Sequence, residues 1–533
     1  MMILAHDLGT SGNKASLYTE EGELVSSALA PYETYYSHSG LWAEQDPEEW
    51  WQAVCLSTRQ VMAGHKPADV MCIAFSGQSM GCLCVDKSGT PLSRSIIWQD
   101  GRAAKEAAAI VERVGGKQEA CRLVGQQITA NYSLAKLMWI KANHPEIYKN
   151  THKVLAAKDY MTFRMTGRYV TDHEDAAFMQ AYDMRERAWS PRLMDAAGVD
   201  GCMFPEILES TDVAGYVTKK AAEDLGLIPG IPVIAGSGDG PCAALGAGVL
   251  ECGDSYLNVG TSTWLSVLTD KYSPDPEGRL QVYPFAAPGL YLMAGTMQAG
   301  GLSYSWARRQ YFDSSTPYSE IDAVVESTPA GAGGVIFLPY LAGERSPWWN
   351  ANARGAFVGM TAGTSRGEML RAVLEGVAMN LQLIREDIER FAPFPDEINI
   401  IGGGAKGGVW RQIIADVLQI TVRKTMTTHE ATNFGAAIIA AVGIGLLPSF
   451  SAAKSFIKID SINKPNPDNA PLYKEKLEIF RNTYLALQPL FEKITCITKQ
   501  PCKQRQGLFS SYRRPSLPCM RTKPTPAGEP HLR

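Results

Sequence analysis

Three glycine-rich turns carry the residue types that can hold a phosphate group. The first apolar run of the chain ends in Asp7 and is followed by "GTSGNK", residues 9–14. Similar turns, residues 260–263 and 402–408, follow two later apolar runs. Glycines let backbone N–H groups approach an anion closely, and hydroxyl groups add further donors. Two such turns that face each other could hold a polyphosphate from both sides.

Two acids stand at the ends of apolar runs. Asp7 could hold Mg²⁺, because this ion prefers carboxylate and phosphate oxygens. Asp239 lies among the glycines of "GSGDG", residues 236–240, before a helix rich in small residues. We expect it to lie in a glycine loop and to accept a proton from an attacking hydroxyl. The alternatives are a turn-capping acid at Asp7 and a helix N-cap at Asp239.

The glycine-rich segment 402–408 is not a P-loop, because the chain contains no G-x-x-x-x-G-K-[ST]. Gly402, Gly404 and Gly407 match the dinucleotide fingerprint, but the next strand ends in Lys424 and Thr425 instead of a ribose-binding acid. A platform for adenine or ribose fits this segment as well as a pyrophosphate loop.

Strand and helix patterns alternate along the chain, which predicts an α/β fold. Asp46 and Pro47 are typical of a helix N-cap and first helical position. The other predicted elements are a strand to Asp7 with a hairpin through Glu21 and Gly22, a hairpin over 81–98, strand–turn–strand over 255–270, strand–loop–helix–strand over 396–425 and a buried helix from Phe434 to Gly443.

Composition bounds the class of protein and its partners. The 533 residues carry a net charge of -4, which gives no electrostatic support for binding nucleic acid or an anionic membrane. The longest apolar stretch is too short to span a bilayer, and no secretory leader is evident. Most of the eleven cysteines lie in apolar segments, which favours reduced thiols and a cytoplasmic protein.

The Gly-Thr-Ser turn occurs twice, about half a chain apart, which predicts two similar domains over 1–248 and 249–494. From about Thr495 the chain becomes basic and rich in proline. We expect residues 495–533 to form a disordered tail.

In this order, the segments resemble those of the FGGY carbohydrate kinases, and within them the xylulose kinase group. The resemblance runs from about Met2 to Glu492. In chain order, the motifs that carry it are "DLGTSGNK", "GLWAEQDPEEWW", "IIWQDGRA", "GSGDG", "NVGTST", "FLPYLAGERSPWWNANARGAFVGMT", "RAVLEGVAMNL" and "GGGAKGGVWRQIIADV".

The resemblance implies two actin-like, ribonuclease H-like ATPase domains with the active site in the cleft between them. It implies transfer of the γ-phosphoryl group of ATP to a sugar or polyol hydroxyl with Mg²⁺, and it is compatible with a homodimer. By position, Asp7 is the metal-side acid and Asp239 is the catalytic base. The implied ATP-binding residues are Thr10, Ser11, Lys14, Gly260, Thr261, Gly301, Ser305, Gly403, Gly404 and Ala405. The implied acceptor-binding residues are Gln78, Ser79, Met80, Asp239 and Gly240.

Acceptor choice is where the chain departs from the xylulose kinases. Ser79 and Met80 stand where that group has Met-His, and Gly240 stands where it has Asn. The first expectation is D-xylulose, converted to D-xylulose 5-phosphate. Another pentulose, a polyol or a sugar acid is the alternative acceptor, and a non-catalytic nucleotide-binding sensor is the alternative class. Trp98, Asp100 and Arg102 either shape the pocket or form a structural tryptophan beside an ion pair.

Overall fold

The computed structural model describes residues 1–313, 315–426 and 430–499 of the chain. The strands up to residue 248 are β1 Met2–Leu8, β2 Gly12–Thr19, β3 Leu24–Pro31, β4 Tyr35–Ser37, β5 Trp42–Gln45, β6 Val70–Gly77, β7 Leu83–Val85, β8 Ser95–Ile96, β9 Lys153–Leu155, β10 Val170–Asp172, β11 Tyr182–Asp183, β12 Ala188–Trp189, β13 Glu206–Leu208, β14 Val213–Tyr216 and β15 Pro232–Gly238. The helices of this part are α1 Pro47–Val61, α2 Ala104–Arg113, α3 Lys117–Val124, α4 Ser133–Asn143, α5 Pro145–Asn150, α6 Ala157–Thr166, α7 His173–Met179, α8 Pro191–Ala197, α9 Lys219–Leu225 and α10 Asp239–Gly246.

The second half of the chain also alternates strands and helices. Its strands are β16 Ser255–Val259, β17 Thr263–Thr269, β18 Gln281–Pro284, β19 Tyr291–Met297, β20 Ile336–Leu338, β21 Ala356–Val358, β22 Glu397–Ile401, β23 Thr421–Thr425 and β24 Ile459–Asn463. Its helices are α11 Gly300–Tyr311, α12 Tyr318–Glu326, α13 Arg366–Glu389, α14 Gly408–Leu418, α15 Ala431–Gly443 and α16 Ala470–Lys499.

Two central sheets repeat one arrangement. The first has the strand order β14-β15-β6-β1-β2-β3, and the second has β18-β19-β17-β16-β22-β23-β24. In the first sheet, β1 pairs antiparallel with β2 and parallel with β6. In the second, β16 pairs antiparallel with β17 and parallel with β22. Each antiparallel pair is joined by one of the Gly-Thr-Ser turns, so the repeated sequence pattern corresponds to a repeated structure.

Helix α1 begins as its sequence predicts. The Asp46 carboxylate accepts a hydrogen bond from the Glu48 backbone N–H at 2.9 Å, and Pro47 occupies the first helical position. Trp50, Trp51 and Val54 are buried in the core that α1 shares with the first sheet. Capping fixes where the helix begins, and the apolar face fixes how it packs.

Helices α10 and α15 join the two sheets into one structure. They pack tightly together, and α15 also packs against β1 and β6 of the first sheet although it comes late in the chain. Their small residues share one buried cluster with Ala5 of the first sheet and Leu292 of the second. A Cβ atom on Gly435 would lie 1.8 Å from the carbonyl oxygen of Cys242. Glycine is therefore needed where the two helices cross.

The predicted hairpin over 81–98 is present: antiparallel bridges join Cys82 to Ile96 and Val85 to Pro91, and the Leu92 N–H donates to the Cys84 carbonyl oxygen at 2.9 Å. Its arms also pair with other strands, β7 with β9 and β8 with β5. One prediction about the chain path needs correction. Helix α16 runs through the predicted boundary at 495, where the Thr495 hydroxyl donates to the carbonyl oxygen of Phe491 at 2.8 Å. Residues 500–533 of the predicted tail lie outside the described residues.

In 1–313, 315–426 and 430–499, no helix is long and apolar enough to cross a membrane. The cysteines described there are all free thiols, and five of them are buried: Cys72, Cys82, Cys84, Cys121 and Cys242.

Candidate active site

The first sheet brings Asp7 and Asp239 to the same edge. Asp7 on β1 and Ser237 on β15 both pair with Ser76 of the intervening strand β6. All three strands run parallel, so their carboxyl ends meet at one edge of the sheet. With one strand between them, the backbones of β1 and β15 are about 10 Å apart. The two acids therefore face a shared space.

The sequence predicts that Asp239 lies in a glycine loop, and this prediction is wrong. Gly236 and Gly238 belong to β15, and α10 begins at Asp239 itself. Gly236 has a φ of 70°, and a Cβ atom there would lie 2.1 Å from the carbonyl oxygen of Phe75. The glycines let β15 lie tightly against β6 and turn directly into the helix. Asp239 is thus held in the first turn of α10.

The two acids have perturbed ionisation. Asp239 is reached by solvent, yet the surrounding protein raises its pKa to about 6, against hydrogen bonds from backbone N–H groups that lower it. Burial, and then the charge of Asp239, raise the pKa of Asp7 to about 7. A carboxylate with a raised pKa is a stronger base than an ordinary aspartate.

We predict that kcat/KM for the acceptor rises with pH up to about pH 6 and then levels. Asp239 must be deprotonated to accept a proton, and below its pKa of about 6 the active fraction falls about tenfold per pH unit. Initial rates between about pH 5 and pH 8 would measure this profile. Circular dichroism at each pH controls for unfolding, and a flat profile on intact protein would contradict a base at Asp239.

The β1–β2 turn presents the first predicted phosphate-binding residues. The Thr10 hydroxyl accepts a hydrogen bond from Trp98 Nε1 at 3.0 Å, and Gln45 Nε2 donates to the Thr10 carbonyl oxygen at 2.7 Å. Ser11 is exposed at the tip of the turn. Lys14 pairs across the strands with Asp7, and its Nζ lies 3.3 Å from Glu430 Oε1. Glu430 precedes α15 and was not predicted from the sequence.

The second domain contains a cavity of about 710 Å³ at the other predicted phosphate and adenosine residues. Its lining residues are Val259, Gly260, Thr261, Gly301, Tyr304, Ser305, Tyr318, Ser319, Asp322, Gly403, Gly404, Lys406, Gly407 and Trp410. Six predicted nucleotide residues therefore share one cavity. Ala405 is not among them, because it is buried beneath the surface with its carbonyl oxygen accepting from Arg411.

Close backbone contacts explain the glycines of this cavity. A Cβ atom on Gly301 would lie 2.3 Å from the Gly260 carbonyl oxygen, which the Gly301 N–H already bonds at 2.8 Å. A Cβ atom on Gly404 would lie 2.3 Å from Val259 Cγ1. Helix α11 and the 402–408 segment thus both rest directly on the β16–β17 turn.

Sequence reasoning missed the aromatic wall of this cavity. The Tyr304 ring lies 5.2 Å from Tyr318 and 5.5 Å from Trp410 between centroids. The Tyr304 hydroxyl donates to Asp322 Oδ1 at 2.5 Å. Tyr304 follows Gly301 by three positions on α11, so helical spacing could have placed it on the same face. Tyr318 and Asp322 come from another helix and had no such signal.

The predicted acceptor residues 78–80 directly follow β6, whose last residue, Gly77, pairs with Gly238 next to Asp239. Gln78 Nε2 donates to Gln45 Oε1 at 2.7 Å, and the Ser79 hydroxyl donates to Glu174 Oε2 at 3.2 Å. Met80 has a left-handed φ of 67°. Glu174 is buried and was not predicted. It also accepts from the Gly238 N–H at 3.1 Å, so it connects Ser79 to the residue before Asp239.

A buried charge cluster lies behind this wall. Lys158 Nζ is 2.8 Å from Asp159, 3.2 Å from Asp172 and 3.3 Å from Asp175. Burial opposes the charge on Lys158, but these carboxylates outweigh it and raise the Lys158 pKa. Asp172 also accepts from the Ser237 hydroxyl at 2.7 Å. Asp172, Glu174 and Asp175 lie close together. Lys158 already supplies the cation for Asp172 and Asp175, and Glu174 accepts from Ser79 and Gly238, so the cluster is structural.

Trp98, Asp100 and Arg102 form the structural arrangement that the sequence left open. Arg102 Nη2 lies 2.7 Å from Asp100 Oδ2 and 2.8 Å from Glu44 Oε1. Asp100 Oδ2 also accepts a hydrogen bond from the Ala43 backbone N–H at 2.6 Å. The ion pair holds the loop from which Trp98 reaches Thr10.

Comparisons with known proteins match this chain over most of its length. The pattern of the FGGY family of carbohydrate kinases matches residues 2–246 in its N-terminal domain and residues 255–444 in its C-terminal domain. A xylulose kinase of Staphylococcus epidermidis is 30% identical over 500 residues, covering 93% of this chain and 99% of that protein. A ligand-bound xylulose kinase and a gluconate kinase from Lactobacillus acidophilus each show a TM-score of 0.86 and 29% identity, covering 92% of this chain and 99% of theirs.

These matches confirm the family expected from the motifs. They extend through both halves of the chain and both sheets, so they do not rest on one shared turn. This chain therefore belongs to the FGGY family of carbohydrate kinases, sugar kinases of the actin-like ATPase type that use ATP as co-substrate.

Proposed function

We propose that this kinase transfers the γ-phosphoryl group of ATP to a hydroxyl group of a pentulose, with D-xylulose as the first acceptor to test. The product would be D-xylulose 5-phosphate. The observation that carries the proposal is the convergence of Asp7 and Asp239 at one sheet edge. A second-domain cavity lined by six predicted nucleotide residues adds support.

Asp239 accepts the proton of the acceptor hydroxyl in this mechanism. The hydroxyl oxygen forms a bond to the γ-phosphorus, and the bond from that phosphorus to the ADP oxygen breaks. The raised pKa of Asp239, about 6, suits a base at neutral pH. Positioning and exclusion of water provide most of the remaining rate, because phosphoryl transfer needs little covalent chemistry from the protein.

The two Gly-Thr-Ser turns hold the phosphates from opposite domains. Thr10, Ser11 and Lys14 act from the first domain, while Gly260 and Thr261 act from the second. Gly301, Ser305, Gly403 and Gly404 bound the adenosine side. In the aromatic wall, Tyr318 is the exposed ring on which an adenine can stack, and the buried Tyr304 packs against both Tyr318 and Trp410.

The residues at the cleft fit Mg²⁺. Asp7 offers carboxylate oxygens, and its pKa is raised by burial and by Asp239, so a nearby cation would favour its ionised form. Oxygen donors combined with phosphate suit this ion. Asp7 would hold Mg²⁺ on the phosphate side, where the ion neutralises phosphate charge when bound.

A different acceptor is the second candidate, because polar positions around Asp239 differ from the xylulose kinase pattern. The serine at 79 is engaged with Glu174, and Gly240 has no side chain. A gluconate kinase is as similar to this chain as a xylulose kinase of the same organism. Another pentulose, a polyol or a sugar acid is therefore included in the test.

The test is ADP release with ATP and Mg²⁺ against pentuloses, hexuloses, polyols and sugar acids. ADP release that depends on an added acceptor, with the highest kcat/KM for D-xylulose, supports the first candidate. Higher kcat/KM for another acceptor supports the second. ATP binding without turnover on any acceptor would contradict both and favour a nucleotide-binding sensor.

A further inference from the structure

The space beside Asp239 is occupied by a tyrosine from the second domain. Gly240 follows Asp239 directly, and a Cβ atom on Gly240 would lie 3.0 Å from Tyr283 Oη. The same atom would lie 3.3 Å and 3.4 Å from two carbons of the Tyr283 ring. A larger residue at 240 would thus compete with Tyr283. The absence of a side chain at Gly240 therefore makes room for the Tyr283 hydroxyl.

The Tyr283 ring is held by aromatic contacts across the domain boundary. It lies on β18 and packs edge-on against Phe178 of α7, with centroids 5.1 Å apart. Phe178 in turn stacks on Tyr132 at 6.0 Å. The Tyr283 side chain is only 5% exposed. The three rings leave the hydroxyl group little freedom to move from its place near Gly240.

The Tyr283 hydroxyl is available to a ligand. Among the residues that the structure describes, no hydrogen bond is made by Tyr283 Oη, whereas the Tyr132 hydroxyl donates to Gln126 Oε1 at 2.7 Å. Burial, and then the charges of Tyr256, Glu174 and Asp239, raise the Tyr283 pKa, so the phenol remains protonated and can donate. Although the Tyr283 ring is buried, its oxygen is not among the buried polar atoms that lack a partner, so it meets open space that an acceptor hydroxyl can enter.

We infer that Tyr283 is an acceptor-binding residue that donates to the hydroxyl group adjacent to the one being phosphorylated. Asp239 engages the reacting hydroxyl, and Tyr283 reaches the neighbouring one over Gly240. The acceptor class that satisfies both is a sugar or polyol with a vicinal diol at the phosphorylated end. This inference rests on the proposed kinase function and assigns a specificity role to a residue outside the predicted site.

The first test replaces Tyr283→Phe, which removes only the hydroxyl and keeps the ring contacts. We expect kcat/KM for the acceptor to fall about tenfold, with the KM for ATP within about twofold of wild type. The control is Tyr291→Phe, on the neighbouring strand β19, whose ring contacts Tyr272 and which has no contact with Gly240. Calorimetric titration of the acceptor measures the same loss without requiring turnover.

The second test is a thermodynamic cycle that combines the Tyr283→Phe variant with a modified acceptor. A deoxy analogue that lacks the hydroxyl next to the phosphorylated one should bind wild type about as weakly as the complete acceptor binds Tyr283→Phe. The variant should show no additional loss with the deoxy analogue, since the interacting hydroxyl is already absent. The inference would be overturned if the loss of affinity for the deoxy analogue were as large in Tyr283→Phe as in wild type, because the two changes would then act independently.

The third test introduces a polar side chain at position 240. Gly240→Asn alone should impair acceptor binding, because its Cβ meets Tyr283 Oη at 3.0 Å. Adding Tyr283→Phe should recover part of the loss by removing that oxygen. If wild type binds or turns over an acceptor and Tyr283→Phe matches it in every assay, the inference fails while the kinase function stands. If wild type neither binds nor phosphorylates any acceptor, both fail.

Discussion

Replacing Asp239→Asn is expected to lower kcat about 10²–10⁴-fold, the range that a general base contributes. Asparagine keeps the shape of the side chain but cannot accept the proton of the acceptor hydroxyl. ATP binding should remain within about twofold of wild type, because the nucleotide cavity is lined by second-domain residues. Steady-state kinetics and equilibrium titration with ATP measure the two effects separately.

The melting temperature of Asp239→Asn should stay equal or rise. The protein raises the Asp239 pKa to about 6, so at pH 7 it disfavours the charged carboxylate that the amide replaces. Asp195→Asn is the matched control, since Asp195 is exposed on α8 away from the cleft. Near-normal turnover in Asp239→Asn would remove the base from the mechanism, and lost ATP binding would indicate a structural defect.

The largest expected effect on stability comes from Lys158→Met. The methionine fills a similar volume but leaves Asp159, Asp172 and Asp175 without their buried cation. Removing one partner from a buried charge cluster costs about 3–5 kcal/mol. Because Asp172 holds Ser237 and this residue lies two positions before Asp239, we also expect activity to fall. Urea denaturation followed by circular dichroism measures the loss.

The pH dependence of the free energy of unfolding shows whether unpaired charge causes the loss of stability in Lys158→Met. Without Lys158 the buried carboxyl groups should take up protons at higher pH in the folded state than in the unfolded state. Lowering the pH from about 8 to about 5 should therefore narrow the stability gap between the variant and wild type. Lys105→Met changes an exposed lysine on α2 and should cost less than about 0.5 kcal/mol. A gap that does not narrow would indicate lost packing instead of unpaired charge.

The sequence by itself determined the parts of the site whose residues lie close together in the chain. Asp7 and its turn, residues 258–263 and residues 402–408 were all placed correctly at strand ends. An apolar run followed by glycine and hydroxyl residues specifies a strand and a tight turn through local backbone preferences alone. The repeat of this pattern was enough to predict two similar domains.

The sequence also indicated where its own assignment was incomplete. Gly240 and Ser79 departed from the expected acceptor contacts, but nothing in their neighbourhood showed what compensates. The structure places Tyr283 against Gly240 and Glu174 against Ser79. These partners are separated by 43 and 95 positions. No periodicity relates residues at such distances.

Only the tertiary structure decided which distant side chains meet. Lys158 and Asp172 become partners because α6 and β10 both pack beside β15, and α15 reaches the first sheet because glycines let it cross α10 closely. Such contacts depend on how helices and sheets pack, and packing is set by complementary shape over the whole core. Local sequence positioned the strand ends and turns, and packing selected the residues that complete the cleft around them.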